Sequence, residues 1–198
     1  YVGWDGALQG SVGLLDFPRR LAAETVTELH AMGLETYLLS GDSLEATQSV
    51  AASVGIEAAF AKLLPAGKLE KIRSLRSAGA LMMVGDGIND APSLAAADVG
   101  VTLGSATDIA KESADVTIIG DHLEKIPWFI HFSRRVLSTI CWNLVWAFGY
   151  NAVGIAFAVA GFLEPILAAI AMVVSSLFII VNSRRLVREW EASRSLSQ

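Results

Sequence analysis

Along residues 1–125 short apolar runs alternate with stretches whose apolar positions recur every three or four residues. The first pattern is that of strands and the second that of helices lying on a core. Residues 8–15 read as a strand, after which Phe17-Pro18 opens a helix carrying Leu21, Val26 and Leu29 on its apolar stripe and ending at Gly33. Residues 34–39 form a buried strand that runs into Ser40-Gly41-Asp42, and 43–54 a helix stopped by Gly55. A short strand at 57–61 leads through Pro65 to a helix reaching Ser77, and 80–84 is a continuously apolar strand. A short helix at 91–96, a strand at 99–101, a helix at 105–113 and a strand at 116–119 complete this part. Strands alternating with helices of about ten residues predict a parallel sheet covered on both faces, with ligands bound at the C-terminal ends of the strands.

Beyond Arg135 the pattern changes. Residues 136–163 carry no charged side chain, nor do residues 165–183, and each run is near the ~20 apolar residues that cross a bilayer. The break at 161–165 makes them a hairpin. Arg134 and Arg135 precede the first run and Arg184, Arg185 and Arg188 follow the second, so the positive-inside bias places both flanks in the cytoplasm and Glu164 outside. Polar residues within spans are costly and therefore informative. Asn143, Tyr150 and Asn151 lie on the first, and Met172 and Ser176 share a face of the second at i and i+4. A thioether is a soft ligand suited to Cu⁺, with Asn, Tyr and Ser oxygens to orient or shield it. Helix packing is the competing explanation for the same residues.

Composition follows from these two parts. The chain has 198 residues, 53% of them hydrophobic, and a mean hydropathy of +0.50. The excess over an ordinary soluble domain lies almost wholly after Arg135. A net charge of −5 and a pI near 5.2 leave no basic stripe for nucleic acid. A single cysteine, Cys141, excludes an internal disulfide. The chain opens Tyr-Val-Gly-Trp-Asp-Gly, with neither Met nor a signal peptide, as a piece of a longer protein would.

Three motifs fall at the predicted strand ends: Ser40-Gly41-Asp42, Pro65-Ala-Gly-Lys68, and Val84-Gly-Asp86-Gly-Ile-Asn89-Asp90-Ala-Pro92. They supply a hydroxyl and backbone amides for a phosphate, an ammonium to neutralise it, and two carboxylates, Asp86 and Asp90, for Mg²⁺. Phosphoryl transfer needs that set, because its catalysis is mostly positioning and charge stabilisation. Each motif alone has a plainer reading: Ser-Gly-Asp as a helix N-cap, Lys68 as a solvated lysine, the aspartates as turn residues. The nine-residue third string, in sequence after the other two, is much harder to obtain from unrelated turns.

That string resembles the hinge motif of P-type ATPases, whose phosphorylation domain has a haloacid-dehalogenase fold. Asp16-Phe-Pro-Arg19 resembles the family's Asp-Pro-Pro-Arg, and Ser40-Gly41-Asp42 stands where most members have Thr-Gly-Asp. Ala97-Asp98-Val99-Gly100-Val101 and Glu112-Ser-Ala-Asp115 fit the pattern after the hinge. The resemblance implies an incomplete α/β, Rossmannoid phosphorylation domain over 1–125, then two transmembrane helices and a short cytoplasmic tail over 126–198. It implies that Ser40, with Gly41 and Asp42, and Lys68 hold the phosphoryl group. Asp86 and Asp90 would ligate Mg²⁺, Asn89 would support the phosphate, and Asp16 and Arg19 would lie on the ATP side. The nucleophile's Asp-Lys-Thr-Gly-Thr is not in this chain, and Asp16 lacks the spacing to replace it, so the chain alone should not turn over ATP. Asn143 to Asn151 and Met172 to Ser176 resemble the last two helices of heavy-metal ATPases of the Cu⁺ branch. The Lys and Asp that the Zn²⁺/Cd²⁺/Pb²⁺ branch carries there are missing, which implies Tyr150, Asn151, Met172 and Ser176 as residues for the transported ion. The implied protein is a multi-pass Cu⁺ exporter of a bacterial plasma membrane. It works through an aspartyl-phosphate, with ATP and Mg²⁺ as cofactors, and the bilayer and the rest of the polypeptide as partners. A membrane-anchored phosphatase of the dehalogenase type and a catalytically silent fragment are the alternatives.

Overall fold

The structure is a computed structural model that describes residues 1–11, 17–85, 90–104, 113–120, 122–162 and 164–195. It divides into two compact units, Tyr1–Pro127 and Trp128–Gln198.

The first unit opens on an antiparallel hairpin, β1 (Val2–Trp4) and β2 (Ala7–Gly10). Asp5 and Gly6 make its turn with φ of 53° and 75°, the left-handed pair that an Asp-Gly two-residue hairpin requires. The strand expected at 8–15 is therefore shorter, and is the second arm of a hairpin; positions 12–16 lie outside the described residues. Helix α1 (Ala22–Ala31) starts four residues beyond Pro18 rather than at it. The cause is local: Leu21 sits at φ 61°, left-handed backbone that cannot belong to the helix. Leu21 thus drops out of the expected stripe, and Ala22, Thr25 and Val26 are the residues α1 buries.

The rest of the unit alternates as the pattern required. Strand β3 (Tyr37–Leu39) precedes α2 (Leu44–Val54), whose first turn is capped by Ser43 Oγ accepting from Ala46 N–H at 3.2 Å. Gly55, at φ 81°, ends it. Then come β4 (Ala58–Phe60), α3 (Pro65–Arg76) with Pro65 in its first turn, β5 (Met82–Gly85), α4 (Ala91–Ala96), β6 (Val99–Leu103) and β7 (Val116–Ile118). The helix expected at 105–113 falls almost wholly outside the described residues.

All these strands pair in parallel, but in two ladders: β3 with β4, and β5, β6 and β7 in that order. The single sheet expected from the sequence is interrupted between β3 and β5 among the described residues. A shared core nonetheless joins the ladders, with Ile72 of α3, Met83 of β5 and Leu94 of α4 packed against Leu39 of β3. A second cluster, Ala22, Val26 and Val54, seats α1 on α2 and takes in Ile56 and Leu123.

The second unit holds most of α5 (Lys125–Val159), which begins in the first, and all of α6 (Pro165–Ser195). Both are long and apolar enough to cross a membrane, and little of either apolar stretch is buried, unlike the core helices of a water-soluble domain. The turn after α5 is a helix stop of the Schellman type: Gly161 at φ 76°, its N–H on Ala158 C=O and the N–H of Phe162 on Phe157 C=O. The first expected span, 136–163, therefore overruns α5, which starts earlier at Lys125 and ends at Val159, whereas 165–183 lies within α6.

Candidate functional site

Parallel strands aim their C-terminal ends at one edge, and three of the expected residues reach it. Ser40 follows β3. Its N–H continues the ladder to Phe60 C=O at 2.9 Å, and its own C=O accepts from Leu63 N–H at 2.9 Å. Lys62 N–H donates to Asp42 C=O at 2.9 Å, so the 40–42 turn is laced to the segment that delivers α3. A Cβ on Gly41 would lie in van der Waals contact with Leu63 C=O, at 3.4 Å. Ser40 is not a helix cap, since Ser43 fills that role. Its hydroxyl donates to Asp42 Oδ2 at 2.6 Å and accepts from Asp42 N–H at 3.1 Å. A phosphate oxygen at Ser40 must therefore displace Asp42 from that hydroxyl.

Lys68 lies in the first turns of α3, directly after this loop. Its Nζ donates to Asp90 Oδ1 at 2.8 Å, with side chains only 18% and 15% exposed. Asp90 sits at the start of α4 without capping it, and its side chain rests on Gly85, where a Cβ would meet Asp90 Cβ at 3.1 Å and Oδ2 at 3.2 Å. A carboxylate spared from capping, held by an ammonium at a strand end, is the kind of group that Mg²⁺ and a phosphoryl oxygen use. One ion pair thus bridges the two ladders at their shared edge. Asp16, Asp86 and Asn89 lie outside the described residues. Arg19 stands in the turn before α1, its C=O accepting from Ala22 N–H at 3.1 Å.

Other polar residues brace this frame. Asp98 accepts from Leu81 N–H at 3.0 Å and from Arg76 Nε at 2.8 Å, tying the start of β5 and the end of α3 to the start of β6. The Leu81 amide first, and then Arg76, hold its carboxyl below the usual carboxylate range. Asp115 accepts from Gly100 N–H at 2.8 Å. Arg76 was not singled out from the sequence; the only available sign was a basic residue at the end of a helix.

In the second unit Asn143 donates to Ser183 Oγ at 3.2 Å and accepts from Asn182 Nδ2 at 2.8 Å. Trp146 Nε1 donates to Ser175 Oγ at 3.1 Å, and its ring lies 4.7 Å from that of Phe178. Ser175, 6% exposed, is therefore the serine that meets α5. Ser176 instead donates to Met172 C=O on its own helix at 3.0 Å, and Asn151 Nδ2 to Ala147 C=O at 2.9 Å. Met172 is 60% exposed. Asn182, Ser183 and Ser175 were not picked out from the sequence, although two polar residues ending an apolar run were a visible sign.

Residues 2–98 match the family of haloacid dehalogenase-like hydrolases. Cation-transporting P-type ATPase B of Mycobacterium bovis is 43% identical over 187 residues, 94% of this chain and 25% of its own length. A copper-exporting P-type ATPase of Mycobacterium tuberculosis is likewise 43% identical over 94% of this chain and 25% of its length. The crystal structure of a zinc-transporting PIB-type ATPase in the E2.Pi state superposes with a TM-score of 0.82 at 33% identity, covering 87% of this chain and 28% of that one. The catalytic domain of a CPx-ATPase superposes with a TM-score of 0.53 at 31% identity, covering 57% of this chain and 45% of that one. The chain spans about a quarter of the length of these curated relatives. Over 94% of its residues the chain is thus similar to one quarter of cation-transporting P-type ATPases, and over residues 2–98 to haloacid dehalogenase-like hydrolases.

Proposed function

We propose that the chain is the part of an ATP-driven Cu⁺ exporter that holds the phosphoryl group and lines one stretch of the ion's path. The carrying observation is the Lys68–Asp90 pair, which links the first turns of α3, after one ladder, to the start of α4, after the other. Lys68 neutralises phosphoryl charge, the Ser40 hydroxyl and the 40–42 amides position its oxygens, and Asp90 with Asp86 would hold Mg²⁺. Bound Mg²⁺ would supply a second positive charge on the transferring group. Asn89 supports the phosphate, and Asp16 and Arg19 belong to the ATP side. The nucleophilic aspartate comes from elsewhere in the polypeptide. The interruption between the ladders suits a strand bearing it, since Ser40 follows β3 and Asp90 opens α4 after β5. Such a strand would carry its C-terminal end to the same edge.

For the ion, Met172 offers a soft thioether in a charge-free span, and neither span holds a lysine or carboxylate to serve a divalent cation. The likeness to a zinc transporter supports the scaffold, whereas these side chains favour Cu⁺. Tyr150, Asn151 and Ser176 would orient or shield the ion. The test uses the full-length transporter, with phosphate release followed against Cu⁺ under reducing conditions and against Zn²⁺. Met172→Ala should lower Cu⁺-stimulated release about ten-fold or more, because a ligand is deleted. Leu177→Ala, which only opens a cavity, should leave it within about two-fold. Stimulation by Zn²⁺ with Cu⁺ silent would reject the choice of ion and leave the ATPase reading standing.

A further inference from the structure

Antiparallel helices in a bilayer have little to fix their register when the facing surfaces are apolar, because lipid is as apolar as the side chains and sliding costs little burial. A carboxamide within a membrane span is different, since unpartnered it leaves polar groups where no water can reach them. Asn143 is such a group, and both ends of its amide are used: Nδ2 donates to Ser183 Oγ and Oδ1 accepts from Asn182 Nδ2. One turn along, Trp146 Nε1 donates to Ser175 Oγ. Asn143, Trp146 and Tyr150 are spaced i, i+3 and i+7, one stripe of α5. Met172, Ser175, Phe178 and Asn182 make the matching stripe of α6. The stripes run in opposite directions, so one further turn past the Trp146–Ser175 step brings Tyr150 and Met172 to one level.

From this geometry we infer that Asn143 is a positioning residue for ion binding. Through Asn182 and Ser183 it sets the register and rotation of α6 on α5, and so fixes Met172 opposite Tyr150. The ion does not touch it. The inference rests on the ion-transport reading above, and its effect belongs to affinity rather than to the phosphoryl chemistry of the first unit.

The experiment uses the full-length transporter in lipid nanodiscs. Cu⁺ affinity is measured without nucleotide by competition with a chromophoric Cu⁺ chelator, and turnover is measured separately at saturating Cu⁺. Asn143→Ala and Asn182→Ala should each weaken Cu⁺ binding about three-fold or more, with saturated turnover within about two-fold of the parent. The double variant should bind no more weakly than the poorer single one, because both changes break one shared hydrogen bond. Unchanged affinity in both single variants overturns the inference. So do additive losses accompanied by a parallel fall in turnover, which mark general loosening of the hairpin. If Asn143→Ala fails to insert, Asn182→Ala and Ser183→Ala carry the same expectation with Asn143 in place. A parent protein that binds and responds to Zn²⁺ instead rejects only the choice of ion, and the same titration with Zn²⁺ then decides on Asn143. A parent that no metal stimulates overturns both readings.

Discussion

At the scale of single residues, carboxylates here divide by what they face. Asp90 is paired with Lys68 at the strand-end edge, whereas Asp98 serves as a brace between Leu81 N–H and Arg76. The Asp98 carboxyl is held below its ordinary value of 3.8. A group whose folded pKa is depressed contributes stability that is present above the unfolded value and is lost as pH falls through the folded one. The Asp98 brace should therefore act in full at neutral pH and fade below about pH 4. Asp98→Asn keeps an acceptor for Leu81 but loses the charge that holds Arg76. Thermal unfolding of the detergent-solubilised chain should show the variant below the parent at pH 7, with the gap narrowing from pH 4 to pH 3. A gap constant across that range would show that the charge of Asp98 plays no part. In the sequence Asp98 was visible only through the family pattern around it. Its partners Arg76 and Leu81 lie 22 and 17 positions away, a separation that no local periodicity encodes. Lys68 and Asp90 were each legible as strand-end residues, but not as a pair, for the same reason.

Secondary structure was most legible where a chemical signal marked its boundary. Pro65 opens α3, Gly55 closes α2, and Ala91–Ala96 appears as expected. Signals failed where backbone conformation overrode them: Pro18 suggested a helix start, but the left-handed Leu21 delays α1 to Ala22. The first hairpin was missed although Asp5-Gly6 between apolar residues is its usual mark. Register between elements depends on close approaches that composition hides, and Gly100 is such a case. A Cβ on it would lie 2.8 Å from Leu94 C=O, so β6 and α4 touch backbone to backbone. Gly100→Ala must push α4 away, and α4 carries Asp90 at its start. The change should cost about 1–3 kcal/mol, as small-to-large substitutions at packed sites do, and, on the function proposed above, should lower phosphate release by the full-length transporter by shifting Asp90. Gly79→Ala is the control, since nothing lies within 4 Å of its added Cβ. Equal unfolding temperatures for the two variants would show that α4 yields freely.

Over the whole molecule, the placement proposed for the hairpin follows from charge and length together. From Pro165 to Ser183 the chain carries no charge, and a helix of that length rises about 30 Å, the thickness of a bilayer's hydrocarbon core. Arginines 134 and 135 precede one span and 184, 185 and 188 follow the other, while Glu164 is the charged residue at the turn between them. A positive charge resists translocation, so the arginine ends should remain cytoplasmic, on the side where ATP is available to the first unit. The Gly161 stop keeps the external turn short enough for both helices to return to that side. Single-cysteine labelling decides the point. In the full-length protein, with Cys141 replaced by Ser and any other cysteines removed, Glu164→Cys should react with a membrane-impermeant maleimide on intact cells. Arg188→Cys should react only after the cells are permeabilised. Labelling of Arg188→Cys on intact cells with Glu164→Cys protected would invert the hairpin and overturn the orientation read from its charges.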